Sequence, residues 1–371
     1  MTKPAALRFD ARIARYGAVT ETLSARTDEE LVRLVDGARP LAHGIGGTSA
    51  LLEVDGTPVF VKRVPLSDRE RRPEHLCSTA NLFDLPTYCQ YGVGGHPGFG
   101  VWREVAANTM TTDWVRARRT EAFPLLYHWR MLPGSPPLTD ELADVDGAVE
   151  FLHGSPAVRE RIEAAATASA SIVLFLEYVP DGLTDWLLDR LAAGPAAIAA
   201  AAAMVERRLR LDLGFLNDAG LLHFDAHFGN VRTDGERLYL VDLGLATSPG
   251  FTLSAAEAHF VAAHRNHDVA HALGQLINWL VVHVCGVPMF ADDGTPARND
   301  YLRRCAASTR VVGAPPGIAA LIGRNAAVTV AVNDFYWDLF GTSRTTPYPA
   351  ARIDAAVAAL TPLTHLAQFT G

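Results

Sequence analysis

The chain has 371 residues, 49% of them hydrophobic and 20% charged, with a formal net charge of −8. That is enough apolar material for a sizeable core, in two domains or in one two-lobed enzyme. The acidic balance and the lack of a basic stripe argue against a nucleic-acid partner.

The longest apolar run, near Leu276 to Val284, contains Asn278 and His283 and is too short to span a bilayer. The first residues, MTKPAALRFDARIARYG, lack the apolar core of a secretion signal. Cys77, Cys89, Cys285 and Cys305 form no CxxC pair and read as reduced thiols. A cytoplasmic protein without a membrane partner is therefore expected. Basic residues number 33, yet the only lysines are Lys3 and Lys62. Arginine replaces lysine wherever a generic cation suffices, so Lys62 marks a position that asks for a compact ammonium.

Residues 1–40 read as a lead-in with one helix, started by Thr27-Asp28-Glu29-Glu30 and ended by Pro40. Residues 43–64 read as a β-hairpin turning at Asp55-Gly56, its second strand running into Lys62. Before it, Gly44, Gly46, Gly47, Thr48 and Ser49 form a small-residue loop. Such a loop lets backbone N–H groups approach phosphate oxygens. Residues 65–100 are broken by Pro and Gly and read as an irregular insertion: either a partner surface or a lid packed on the sheet. Trp102 to Arg118 reads as helix, Phe123 to Leu132 as strand, and PGSPP opens a second, acidic and helix-forming insertion over 133–170. Ser171 to Val179 is a continuous apolar run, as in a buried strand. Residues 183–220 read as helical, with an Ala-rich stretch from Pro195 to Met204.

Leu221 to Thr247, LLHFDAHFGNVRTDGERLYLVDLGLAT, carries most of the candidate chemistry. One loop holds His223, Asp225, His227 and Asn230, and a second holds Asp242, Leu243 and Gly244. Thr233-Asp234-Gly235 is a turn signal, and a hairpin there brings both loops to one end of paired strands. Asp225, Asn230 and Asp242 are hard oxygen donors of the kind Mg2+ and phosphates require. A long apolar helix is expected after HRNHD, and helices with Pro/Gly breaks to Gly371.

HFDAHFGN resembles the H-x-D-x-H-x-x-N catalytic loop of the aminoglycoside branch of the protein-kinase-like superfamily. VDLG resembles its metal-binding D-x-G segment, and VFVK its strand lysine. The resemblance spans about Gly44 to Gly274. It implies an α+β, bilobal fold: a small β-rich lobe over 1–177 and a mostly helical lobe over 178–371. It implies an ATP- and Mg2+-dependent kinase. Lys62 would hold nucleotide phosphates with the Gly44–Ser49 loop, and a helix glutamate would orient it. Glu104 is the candidate; Glu70 and Glu74, among arginines, read as solvated charge. LFLEYVPDGLTDWL is similar to the hinge that reads adenine through backbone groups, at Glu177 and Val179. Asn230 and Asp242 would hold the metal and Asp225 would take the acceptor proton. His223 and Asp268 would support the loop, and His227 would pack it. Gly274 lies six positions after Asp268, where the family pattern has five.

The insertion STANLFDLPTYCQYGVGGHPGFGVWRE is similar to kinase-like proteins of peptide natural-product (lanthipeptide-type) biosynthesis. That resemblance implies a Ser or Thr acceptor on a precursor peptide and a separate lyase partner. A small-molecule, aminoglycoside-type acceptor is the alternative, although the last forty residues contain only Asp334, Asp338 and Asp354 to receive amines. A nucleotide-binding pseudokinase and a metal hydrolase built on His223, Asp225, His227 and the His259–His271 cluster are the other readings.

Overall fold

The computed structural model describes residues 5–44, 47–92, 98–308 and 311–360. The chain is mixed α+β and divides into two compact units. The first comprises Met1–Pro180, His223–Asp225 and Tyr239–Phe260; the second comprises Asp181–Leu222, Ala226–Leu238 and Val261–Gly371. A single cut at 177/178 therefore misses two returns of the chain to the first unit. Both returns carry candidate site residues.

The first unit opens with α1 (Ala5–Ser24), where the sequence suggested only a lead-in. Phe9, Arg12, Val19 and Leu23 are buried along one side of it, and the Thr20 hydroxyl donates to the Tyr127 carbonyl at 2.9 Å. Helix α2 (Asp28–Asp36) is started by a capping box: the Thr27 hydroxyl accepts from Glu30 N–H, and the Glu30 carboxylate accepts from Thr27 N–H. It ends at Gly37, before Pro40, which lies in β1 (Arg39–Gly44). Strands β2 (Gly47–Val54) and β3 (Thr57–Leu66) follow, joined at Asp55-Gly56. Gly44 and Gly47 pair across the β1–β2 hairpin, with Thr48 and Ser49 already in β2 and paired with Arg63 and Lys62.

Helix α3 (Val101–Arg116), β4 (Leu126–Pro133), α4 (Asp140–Ala143), α5 (Val145–Phe151), α6 (Pro156–Ala166) and β5 (Ala170–Glu177) complete this part. The sheet order is β1-β2-β3-β5-β4, antiparallel throughout. Val64 and Leu66 of β3 pack with Ile172, Leu174 and Leu176 of β5 against Val101, Trp102 and Val105 of α3. The two insertions share a second core: Phe83, Leu85, Cys89 and Phe99 from one meet Leu142, Val149, Leu152 and Ile162 from the other.

The second unit begins with β6 (Asp181–Gly182). Helices α7 (Leu183–Ala192) and α8 (Pro195–Asp218) are separated at Gly194-Pro195 rather than continuous. Strand β7 (Val231–Thr233) pairs with β6, and the order β6-β7-β8 includes β8 (Leu238–Leu240). In the turn before β8, Asp234 accepts from Glu236 and Arg237 N–H at 3.0 and 2.8 Å. After α9 (Ala255–Ala263), α10 (His267–His283), α11 (Ala297–Ala307), α12 (Pro316–Gly341) and α13 (Ala350–Ala358) follow. Helix α10 packs on α8 and α12. No described helix is long and apolar enough to cross a membrane.

One buried acid in α8 gives a pH signature. Burial pushes the Asp212 carboxyl up to about 7, against the pull of Arg208 at 2.9 Å. The native state then keeps a proton that the unfolded chain releases near pH 4, so this group's contribution to stability falls as pH rises towards 7. Asp212→Asn is expected to remove a slope worth on the order of 2–4 kcal/mol across that window. Urea unfolding of both proteins from pH 4 to 8 measures it. Parallel pH profiles would contradict the assignment.

Candidate functional site

The site starts from the two-residue period of β3. Val64 and Leu66 face α3, so Lys62 points the same way, into the sheet–helix interface. Glu104, in the first turn of α3, meets it there: Lys62 Nζ donates to Glu104 Oε1 at 2.8 Å. The same Nζ donates to Asp242 Oδ1, also at 2.8 Å. Lys62 and Glu104 are buried, whereas the Asp242 side chain is 40% exposed. One oxygen of the exposed carboxylate is thus fixed by the lysine, on a group that solvent and ligands can reach.

The charges are set by this triangle. Burial opposes the Lys62 ammonium, but Asp242 and Glu104 outweigh it and raise its pKa. Burial raises the Glu104 carboxyl despite Lys62. Burial also works against Asp242, yet Lys62 and the Gly244 N–H overcome it and lower its pKa, keeping it ionised. The lysine therefore sits between two acids, buried Glu104 on one side and the more open Asp242 on the other.

His223 joins the two loops. Its Nε2 bonds the Val241 carbonyl at 3.1 Å, next to Asp242, and its Nδ1 accepts the Asp225 N–H at 3.3 Å. Only the ring carrying its proton on Nε2 makes both bonds. The imidazole is fully buried. Phe224 and Asp242 have φ of 62° and 59°, left-handed conformations that are costly for a phenylalanine and that cluster where side chains must be aimed.

Gly47 has φ 136°, and a Cβ there would lie 2.2 Å from the Arg63 carbonyl oxygen, so only glycine closes this turn. Gly44 ends β1 opposite it, while Gly46 lies outside the described residues. The Glu177 N–H donates to Leu125 O at 2.8 Å, and its carboxylate holds the buried Arg12 at 2.9 and 2.6 Å. Val179 lies just past the end of β5, in neither helix nor strand. Asn230 belongs to the second unit, where its N–H donates to the His227 carbonyl and His227 Nδ1 caps Gly229. Asp268 is buried in the first turn of α10, 3.2 Å from His267 Nδ1.

Glu70 corrects the sequence reading. It is not solvated: it is buried and accepts from Ser67 N–H and hydroxyl (3.0 and 2.6 Å), Val101 N–H (3.1 Å) and Arg161 Nη1 (2.9 Å). It therefore caps the helix that carries Glu104. Glu74 is exposed. Arg103, the residue before Glu104, was also missed: it donates to Glu257 at 2.7 Å and to the Thr79 carbonyl at 2.7 Å. The Ser254-x-x-Glu257 capping box was its visible signal.

No protein-family model and no curated protein matches the chain. The chemistry therefore rests on the residues. The candidate metal donors, Asp242 and Asn230, are all-oxygen, which suits Mg2+ rather than zinc. Among the described residues, no three His, Cys, Asp or Glu side chains form a metal-holding group. His223 in addition has both ring nitrogens engaged in hydrogen bonds.

Proposed function

We propose that the chain is an ATP- and Mg2+-dependent phosphotransferase with a hydroxyl acceptor. The observation that carries this reading is the Lys62 ammonium held at 2.8 Å by both Glu104 and Asp242. A cation so fixed on a sheet, next to a glycine turn, is suited to hold nucleotide phosphates. Asp242 would supply a metal carboxylate. Mg2+ held there would neutralise phosphate charge. Asp225 takes the acceptor proton as the new oxygen–phosphorus bond forms and the bond to ADP breaks.

The preferred acceptor is a Ser or Thr of a precursor peptide, with elimination left to a separate lyase. This reading draws on the likeness of the insertion and on the way that insertion is built against the site. A small-molecule alcohol is the alternative acceptor. Calorimetric titration of the protein with Mg2+·ATP is the first test, with ATP turnover followed in the same samples. Binding with turnover is expected. Absence of nucleotide binding would sink both the kinase and the pseudokinase readings. Binding with no transfer to any acceptor tried would favour a pseudokinase. Mass spectrometry of a co-expressed precursor peptide should then show added phosphoryl mass, and none would count against the peptide acceptor.

A further inference from the structure

We infer that Gln90 to Gly92, with Gly98, form the acceptor-side wall of the site, and that Gly92 sets the space beside Asp225. The inference rests on the phosphotransferase reading and deepens it. Three ties bring this segment to the site loops. The Gln90 side chain donates to the Leu245 carbonyl, just past Gly244. At Gly92 a Cβ would lie 2.7 Å from Asp225 Oδ1 and 3.1 Å from Leu245 Cδ1. At Gly98 a Cβ would lie 3.9 Å from the Gly244 carbonyl, and the Gly98 carbonyl is itself held by Arg161 Nε at 3.3 Å.

The backing of this wall is firm. Cys89 and Phe99 belong to the core shared by the two insertions. Tyr91 packs edge-on against Phe260, which in turn packs on Phe224, the neighbour of Asp225 (ring centroids 5.3 and 5.6 Å). Gly92 has φ 62°, and any side chain there would enter the space at Oδ1. A bare backbone lies against one side of the Asp225 carboxylate, so any side chain at Gly92 narrows the approach from that side. That geometry suits a hydroxyl on a slim aliphatic arm, such as a Ser or Thr side chain, over a ring hydroxyl flanked by substituents.

Gly92→Ala is the test, with Gly56→Ala as control. Gly56 has φ 76° but open space around it, so it carries the same backbone strain without the clash. Asp225 is labelled with a water-soluble carbodiimide and an amine and quantified by peptide mass spectrometry; Mg2+·ATP binding and turnover are measured in parallel. Gly92→Ala should cut Asp225 labelling severalfold and turnover roughly tenfold to a hundredfold, with nucleotide binding unchanged. Gly56→Ala should match wild type. Gln90→Ala, which frees the segment from Leu245, should increase labelling. The wall is refuted if Gly92→Ala labels and turns over as wild type, or, where that variant does not fold, if Gln90→Ala leaves labelling unchanged. Failure of wild type to bind Mg2+·ATP refutes the parent reading instead, whatever the labelling shows.

Discussion

Asp225→Asn is expected to stop phosphate transfer while Mg2+·ATP still binds with wild-type affinity. The substitution is nearly isosteric and removes only the capacity to take a proton. The Asp225 N–H still donates to His223, so the loop keeps its anchor beside Val241. Lys62 is held by Glu104 and Asp242, and that triangle does not depend on a proton at Asp225. Loss of a general base costs roughly 10²–10⁴-fold in rate. Calorimetry and ATP turnover on matched samples separate the two properties. Should the variant turn over as fast as wild type, Asp225 is not the base. Should it lose nucleotide binding, Asp225 belongs to the phosphate subsite.

How far the sequence revealed this arrangement depends on the range of each signal. The rarity of lysine singled out Lys62, and the strand period then aimed it at a helix. The ion pair with Glu104 follows from two local patterns that happen to face each other. Helix α1 was equally visible: Phe9, Arg12, Tyr16, Val19 and Leu23 recur every three or four residues. Strand β1 was hidden because Pro40 reads as a stop, although an edge strand tolerates it. The shared core of the insertions was not legible. Phe83 and Ile162 are far apart in the chain, and nothing local says that two irregular stretches bury each other. Gly92 was hidden for the same reason, since its neighbour Asp225 is distant in sequence.

Glu70 shows most sharply what local reading cannot supply, and Glu70→Ala is expected to be among the most destabilising single changes in the first unit. Glu70 and Glu74 are four residues apart, both beside arginines, and look alike in sequence. In the structure, Glu74 is exposed while Glu70 is 1% exposed and accepts four hydrogen bonds. Its partner Arg161 is 3% exposed. Truncation leaves that guanidinium buried without its carboxylate and uncaps Val101 at the start of α3. Removing one partner of a buried pair costs about 3–5 kcal/mol, because the remaining charge stays desolvated. The exposed Glu74→Ala should stay within about 0.5 kcal/mol of wild type. Urea unfolding of the two variants measures the contrast. Because Glu70 caps the helix that presents Glu104 to Lys62, Glu70→Ala should also weaken Mg2+·ATP binding under conditions where the protein remains folded. A variant as stable as Glu74→Ala would mean that Arg161 finds water or another acceptor, and that the insertions do not brace α3.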